Sequence, residues 1–424
     1  MKFSKFLITA FLILAVSVAY SQEIKKTGGY ARLAGMGSNP YVIDPFFNTV
    51  NPAWNAVYNN FVIGDLGSSA GAPFSAGGYG QYLAGSFQIG DAWTLGGILA
   101  RNDFNGMSIA LLDPGSNSSS TWSYPGVVST VNGIAGVGSV VPLDNNLEVI
   151  GTYSFSRTKV GLGIAYAHTS NDVNPPTGGS TEGSASQFGF NLGVISDLTR
   201  SLKLDIGASL VLPSTSYKPD TLNETSASQT IITVNGRAFW KLNNKLKLVP
   251  LILFSTESGS IDSGGISAAS VDMPSFTWFE FGVGLNYQIG DFLIAGGAIF
   301  STSSLTYPAV NNVSPELSLS ETRFPIWNIG VEWNMLEWFV GRLGYVASSG
   351  SRSYDVPNTA TSKTEYVQTF FGPSQMGATV GVGFRFGDFS LDATVNEDVL
   401  RQGFNTIGGG GPTFAYLTAS YALP

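Results

Sequence analysis

The sequence predicts an all-β protein, a transmembrane antiparallel up-and-down β-barrel of about 14 strands, or 16, closed over an N-terminal luminal plug. Three observations predict it. Charged residues make up only 12% of the 424, whereas a soluble globular domain carries about 25%, so much of the outer surface is not built to face water. Apolar residues recur with a period of two, segment after segment, which is the signature of strands with two unlike faces. The connections between these segments alternate strictly between short and long, as in barrels with tight turns at one end and loops at the other.

Residues 1–21 read as a signal peptide: Lys2 and Lys5, the apolar run Phe6 to Val18, then small residues at Ala19 and Ser21, with cleavage before Gln22. The run is shorter than the roughly 20 apolar residues of a membrane helix. Residues 22–59 show no alternation. Phe46, Phe47, Trp54 and Tyr58 in this stretch are costly to leave in water, which predicts a plug folded into the lumen. Residues 60–424 form the barrel.

Within the barrel, Val160, Leu162, Ile164 and Tyr166 oppose Gly161, Gly163, Ala165 and Ala167. Phe279, Phe281, Val283, Leu285 and Tyr287 oppose Glu280, Gly282, Gly284 and Asn286, and Val380, Val382, Phe384 and Phe386 oppose Gly381, Gly383 and Arg385. The large apolar face is assigned to lipid and the small or polar face to the lumen, where the glycines leave room for a plug. The short connections are Gly90-Asp91, Arg157-Thr158, Asp197 to Arg200, Asn243-Asn244, Gly290-Asp291, Met335 to Glu337 and Gly387-Asp388, all suited to tight turns. The long ones include Arg101 to Asn145, Ser170 to Ser184, Ser214 to Ser228 and Ser349 to Ser374. Trp93, Tyr166, Trp240, Trp278, Trp333, Trp338 and Tyr421 lie near strand ends, as interfacial girdles do. Counting from Phe61 to Gly67 as the opening strand and Phe414 to Leu423 as the closing one gives 16, with weak segments leaving 14 open.

The net charge of −8 argues against nucleic acid as a partner. There is no cysteine and one histidine, His168, which excludes thiolate chemistry and a histidine-built metal site. His168 follows Tyr166 on the outward set and reads as a girdle residue. The glycine run Gly408 to Gly411 lacks the Lys and Ser/Thr of a phosphate loop. No cofactor, metal or catalytic residue is expected. Lys203, Asp205, Arg237, Glu280, Glu332, Arg385 and Asp392 fall on luminal sets, with mixed signs. Buried charges need partners, so they are expected to pair with one another and with Arg32 to hold the plug.

The segment Arg32-Leu33-Ala34-Gly35-Met36-Gly37, then Asp44, then Asn51-Pro52-Ala53 directly before the first strand, resembles the long-chain fatty-acid transporter family of outer-membrane channels, which includes the related type IX secretion shuttle barrels. The closing hairpin Thr379 to Thr394 adds to the resemblance. The chain departs from the family pattern at Trp54-Asn55, where Gly-Leu is usual, and at its Leu423-Pro424 end, where an aromatic is usual. The resemblance implies a 14-stranded barrel in the bacterial outer membrane with both ends periplasmic and the N-terminal segment as a hatch. It implies Phe46, Phe47, Asn51, Pro52, Ala53 and Trp54 as the ligand-binding and hatch residues. The function expected is uptake of hydrophobic small molecules such as long-chain fatty acids. The alternatives are a docking barrel for secreted or secretion-system proteins, and a passive porin. Outer-membrane lipid is a partner in every case.

Overall fold

The computed structural model describes residues 26–67, 82–101, 116–118, 123–136, 138–143, 145–221, 223–263, 271–310, 314–395 and 414–424. The leader expected at residues 1–21, the stretch Phe104 to Leu112 and the glycine run at 408–411 lie outside the described residues. Sixteen strands form the barrel: β1 (Phe61–Gly67), β2 (Tyr82–Ile89), β3 (Trp93–Arg101), β4 (Asn145–Phe155), β5 (Thr158–Val173), β6 (Thr181–Asp197), β7 (Leu202–Lys218), β8 (Thr225–Lys241), β9 (Leu246–Asp262), β10 (Ser275–Ile289), β11 (Phe292–Tyr307), β12 (Leu317–Leu336), β13 (Phe339–Thr359), β14 (Ser362–Phe386), β15 (Phe389–Val395) and β16 (Phe414–Ala422). Each pairs antiparallel with its neighbours, and β1 pairs with β16 from Phe61 opposite Ala422 to Gly67 opposite Tyr416. Closure removes both sheet edges, which is what a sheet needs to live in lipid.

The count of 16 replaces the 14 implied by the family resemblance. The pairing of every strand with both neighbours, β1 with β16 included, fixes the number.

The alternation sorts as expected. Leu162, Ile164, Phe190, Leu192, Phe281, Val283, Leu285, Ile329 and Leu343 are exposed on the outer surface, forming an apolar belt that is a lipid-facing surface. The chain is a transmembrane β-barrel. At the short-turn rim Trp93 packs on Tyr153 and Phe292 stacks on Trp333. At the other rim Tyr166 packs on Phe188, and His168 stacks on Tyr166, its exposed ring extending that girdle. Trp278 departs from the expected girdle. Its parity is that of Glu280, so it faces inward, and its indole N–H donates to the Ser301 hydroxyl at 3.0 Å.

Most of the stretches read as long loops are strand. β5 to β8 run on through Ser170, Ser184, Ser214 and Ser228, and the Ser349–Ser374 stretch is the top of the β13–β14 hairpin. Cross-strand hydroxyl pairs hold these extensions, for example Ser186 with Ser214 at 2.9 Å and Ser320 with Ser353 at 2.8 Å. Hydroxyl-rich composition marks exposure to water, and an antiparallel ladder still forms when such residues face each other.

Two features fill the ring of strands. Near the short-turn rim lie residues 27–60, with helix α1 (Tyr30–Gly35) and two 3-10 turns, Pro45–Thr49 and Pro52–Ala56. Nearer the opposite rim, helix α2 (Val127–Ala135) from the connection between β3 and β4 packs inward. Its Val127, Val128 and Val131 join Val140 and Leu143 against Ala167, Ala185, Ala227 and Met273.

Candidate functional site: the N-terminal segment and its luminal seat

The segment's own fold comes from short-range capping. Asp44 and Asn51 each precede a proline, which starts a 3-10 turn with its φ preset. The Asp44 carboxylate accepts from Phe46 N at 2.9 Å, and the Asn51 side-chain oxygen accepts from Ala53 N at 2.8 Å. Between these turns the aromatic residues close a core. Trp54 and Tyr58 are fully buried with ring centroids 6.0 Å apart, and Phe46 packs on Tyr30 at 5.2 Å and Tyr82 at 6.1 Å.

The wall accepts this core because its inward face is made of small residues. A side chain at Gly161 would overlap the Pro52 backbone, and one at Gly284 would overlap the Tyr41 ring. Gly282 and Gly381 similarly face Tyr41 and Gly35, whereas Gly163 makes room for Glu148 and Gly383 for Arg342 and Asp392. The glycines therefore serve the seat in part and the wall's own charges in part.

Polar contacts run around the ring. Ala31 N donates to the Thr418 hydroxyl at 2.9 Å, Asn39 to Ala295 O at 2.9 Å, Asn328 to Gly37 O at 2.7 Å, and Thr152 to Pro52 O at 2.9 Å. Two ionic anchors stand out. In the first, Arg32 forks onto both oxygens of Glu332 at 2.7 and 3.1 Å and also holds Asp44 at 2.9 Å. Glu332 meets Arg342 at 2.7 Å, Arg342 meets Asp392 at 2.7 Å, and Asp392 meets Arg385 at 2.8 Å. Three carboxylates thus alternate with three guanidinium groups. Burial disfavours the Arg32 charge, and Glu332 and Asp44 more than offset it, so the guanidinium is held above its ordinary range.

In the second anchor, Arg237 pairs with Asp205 at 2.5 Å and donates to the carbonyls of Pro40 at 3.0 Å and Val42 at 3.2 Å. Its guanidinium lies 3.6 Å from the centre of the Phe47 ring, a cation–π contact. Asn51 donates to Asp205 at 2.7 Å and to Ile206 O at 3.0 Å.

The residues singled out from sequence divide as follows. Arg32, Asp205, Arg237 and Glu332 meet at the seat, and Arg385 and Asp392 extend its ionic chain. Phe46, Asn51, Pro52, Ala53 and Trp54 are buried in the segment, and Phe47 is half-buried under Arg237. Lys203 pairs with Asp197 at 3.4 Å, away from the segment. Glu280 is on the inward face of β10, two residues from the Gly282 that Tyr41 approaches. Sequence reading missed Arg342, although alternation on β13 gives it away: Leu343 and Tyr345 are outward and exposed. It also missed Tyr41, whose partner is a pair of glycines and leaves no mark of its own.

No family model matches the chain, and no curated protein matches it in sequence. Solved structures do match, at low identity and low TM-score. A Pseudomonas aeruginosa FadL homologue is 12% identical with a TM-score of 0.38, covering 92% of this chain and 98% of that one. The Pseudomonas putida toluene transporter TodX is 10% identical with a TM-score of 0.36, covering 93% and 99%. The FrpB iron transporter of Neisseria meningitidis is 10% identical with a TM-score of 0.39, covering 81% of this chain. The chain spans 62% of that transporter's length.

Proposed function

We propose that this chain is a bacterial outer-membrane channel for uptake of hydrophobic small molecules such as long-chain fatty acids, gated by the N-terminal segment acting as a hatch. The observation that carries this reading is the kind of contact that seats the segment. Its aromatic residues pack partly on one another, Trp54 on Tyr58 and Phe46 on Tyr30. They pack partly on an apolar luminal wall, Phe46 on Tyr82, Tyr58 on Phe61 and Tyr30 on Tyr416, while hydrogen bonds and ion pairs tie the segment to the strands around the ring. Polar links exchange for water at small net cost, whereas exposing Trp54 and Tyr58 separately would not. A segment seated this way uncovers an apolar luminal pocket when it shifts. Trp54 is fully buried, so an apolar ligand reaches these aromatics only when the hatch shifts. With an exported leader and an apolar outer belt, the barrel belongs in the outer membrane, and its short turns and chain ends face the periplasm.

Native mass spectrometry on protein purified in mild detergent tests the reading. A retained apolar molecule is expected, and it should be lost in the Phe46→Ala/Trp54→Ala double variant. Protein that carries and binds no apolar ligand at micromolar concentration removes the basis for the proposal.

A second reading, a protein-docking barrel, is favoured by β12, β13 and β14, with 20, 21 and 25 residues. A bilayer crossing takes about 9 to 11, so a three-stranded sheet rises above the membrane, with Tyr354 stacked on Tyr366. A stoichiometric protein partner that is lost when the β13–β14 hairpin is shortened would move the function there.

A further inference from the structure

The cations of this acidic chain are unevenly placed around the short-turn rim. Three consecutive turns, joining β4–β5, β6–β7 and β8–β9, carry Arg157 and Lys159, Arg200 and Lys203, and Lys241, Lys245 and Lys247, with Asp197 as the one carboxylate in those stretches. The remaining short turns instead carry Asp91, Asp291, Glu337 and Asp388, and the cation beside them, Arg385, is paired with Asp392 at 2.8 Å. One arc of the rim is therefore basic and the rest acidic.

Four of the seven cations point into the mouth. Lys159 shares the face of Gly161, which meets Pro52, and Lys203 shares the face of Asp205, which meets Asn51. Lys241 follows buried Phe239 and Lys247 precedes buried Val249 on their luminal sets. Lys241 stands directly opposite Lys247 in the β8–β9 ladder, and Lys203 stands opposite Phe239, one inward position along from Lys241. Like charges opposed across a ladder are destabilising, and an anion held between them relieves that repulsion. A concentration of one sign in a cleft with low-dielectric walls draws in counter-ions. Facing inward, these lysines are also turned away from the lipid headgroups around the barrel.

We propose that this arc is a binding site for an oxyanion, a phosphate or carboxylate group, at the short-turn mouth of the lumen. Phe239 and Val249 lie next along the strands of Lys241 and Lys247, Ile195 stands opposite Lys159, and all three belong to the apolar cluster that the N-terminal segment covers. The headgroup of an amphiphile held by the lysines therefore has apolar wall directly inside it. The inference stands on charge placement alone and does not require the hatch reading.

Calorimetry of the full chain in an uncharged detergent at low ionic strength, titrated with inorganic phosphate and with dodecyl phosphate, tests the site. Both are expected to bind, and the Lys203→Gln/Lys241→Gln/Lys247→Gln variant should bind at least about tenfold more weakly. Lys363→Gln, on the far side of the barrel, should behave as the parent chain. Tighter binding of dodecyl phosphate identifies an amphiphile headgroup as the occupant, and equal binding identifies a free oxyanion. The triple variant removes the opposed like charges together with the partly exposed Lys203–Asp197 pair, so its thermal midpoint without phosphate should stay close to that of the parent, and phosphate should raise only the parent's midpoint. Absence of binding by the parent, or unchanged binding by the triple variant, overturns the proposal. A triple variant whose midpoint falls, beside a parent that phosphate does not stabilise, also overturns it.

Discussion

Replacing Glu332 by Gln removes the one charge that joins the N-terminal segment to the wall's ionic chain, while keeping side-chain size. Glu332 accepts both arms of the Arg32 fork at 2.7 and 3.1 Å and also meets Arg342 at 2.7 Å. Removing one partner of a buried pair costs about 3 to 5 kcal/mol. The lower end applies because Arg32 keeps Asp44 and Arg342 keeps Asp392. A loss of about 3 kcal/mol raises the population of the unseated segment about 100-fold, at 1.4 kcal/mol per factor of ten. The chain has no cysteine, so a single Val42→Cys reports cleanly. Val42 is fully buried in the segment and reacts with a maleimide only when the segment leaves its seat. Glu332→Gln should raise the labelling rate about 100-fold with the barrel still resistant to unfolding in cold detergent. The Arg32→Met change should add little to it, since both break the same link. Labelling within twofold of the parent's, in an intact barrel, would refute the ionic anchor.

Three further outcomes are expected. Gly284→Leu places a side chain on the Tyr41 ring, an overpacking of about 1 to 3 kcal/mol, and should raise Val42→Cys labelling while leaving the outer belt unchanged. Arg237→Lys should also raise it, by about tenfold or more, because a single ammonium cannot hold Asp205, two carbonyls and the Phe47 ring at once; equal labelling would mean that Arg237 acts as a charge only. Leu192→Arg, on the exposed apolar belt, should cost about 2 to 4 kcal/mol in folding into bilayers, read from equilibrium folding in urea, and a neutral result would mean that β6 does not face lipid at that depth.

The sequence by itself determined the class of fold, the two faces of nearly every strand and the end at which the tight turns lie. These are local properties: a period of two, and turn residues between periods, are written within about twenty residues of each other. It also marked Asp205, Arg237, Glu332, Arg385 and Asp392 as luminal charges, from parity alone, and Arg32 as their partner in the segment. Which charge meets which was decided by the tertiary structure, because Arg32 and Glu332 are 300 residues apart and only closure of the ring brings them together. Closure likewise settled 16 strands over 14, since the number is fixed by the unbroken ring of pairings and not by the pattern of any one segment. The hydroxyl-rich stretches misled for the same reason. Ser and Thr report contact with water, while the ladder that Ser186 and Ser214 join exists only once β6 and β7 are already side by side.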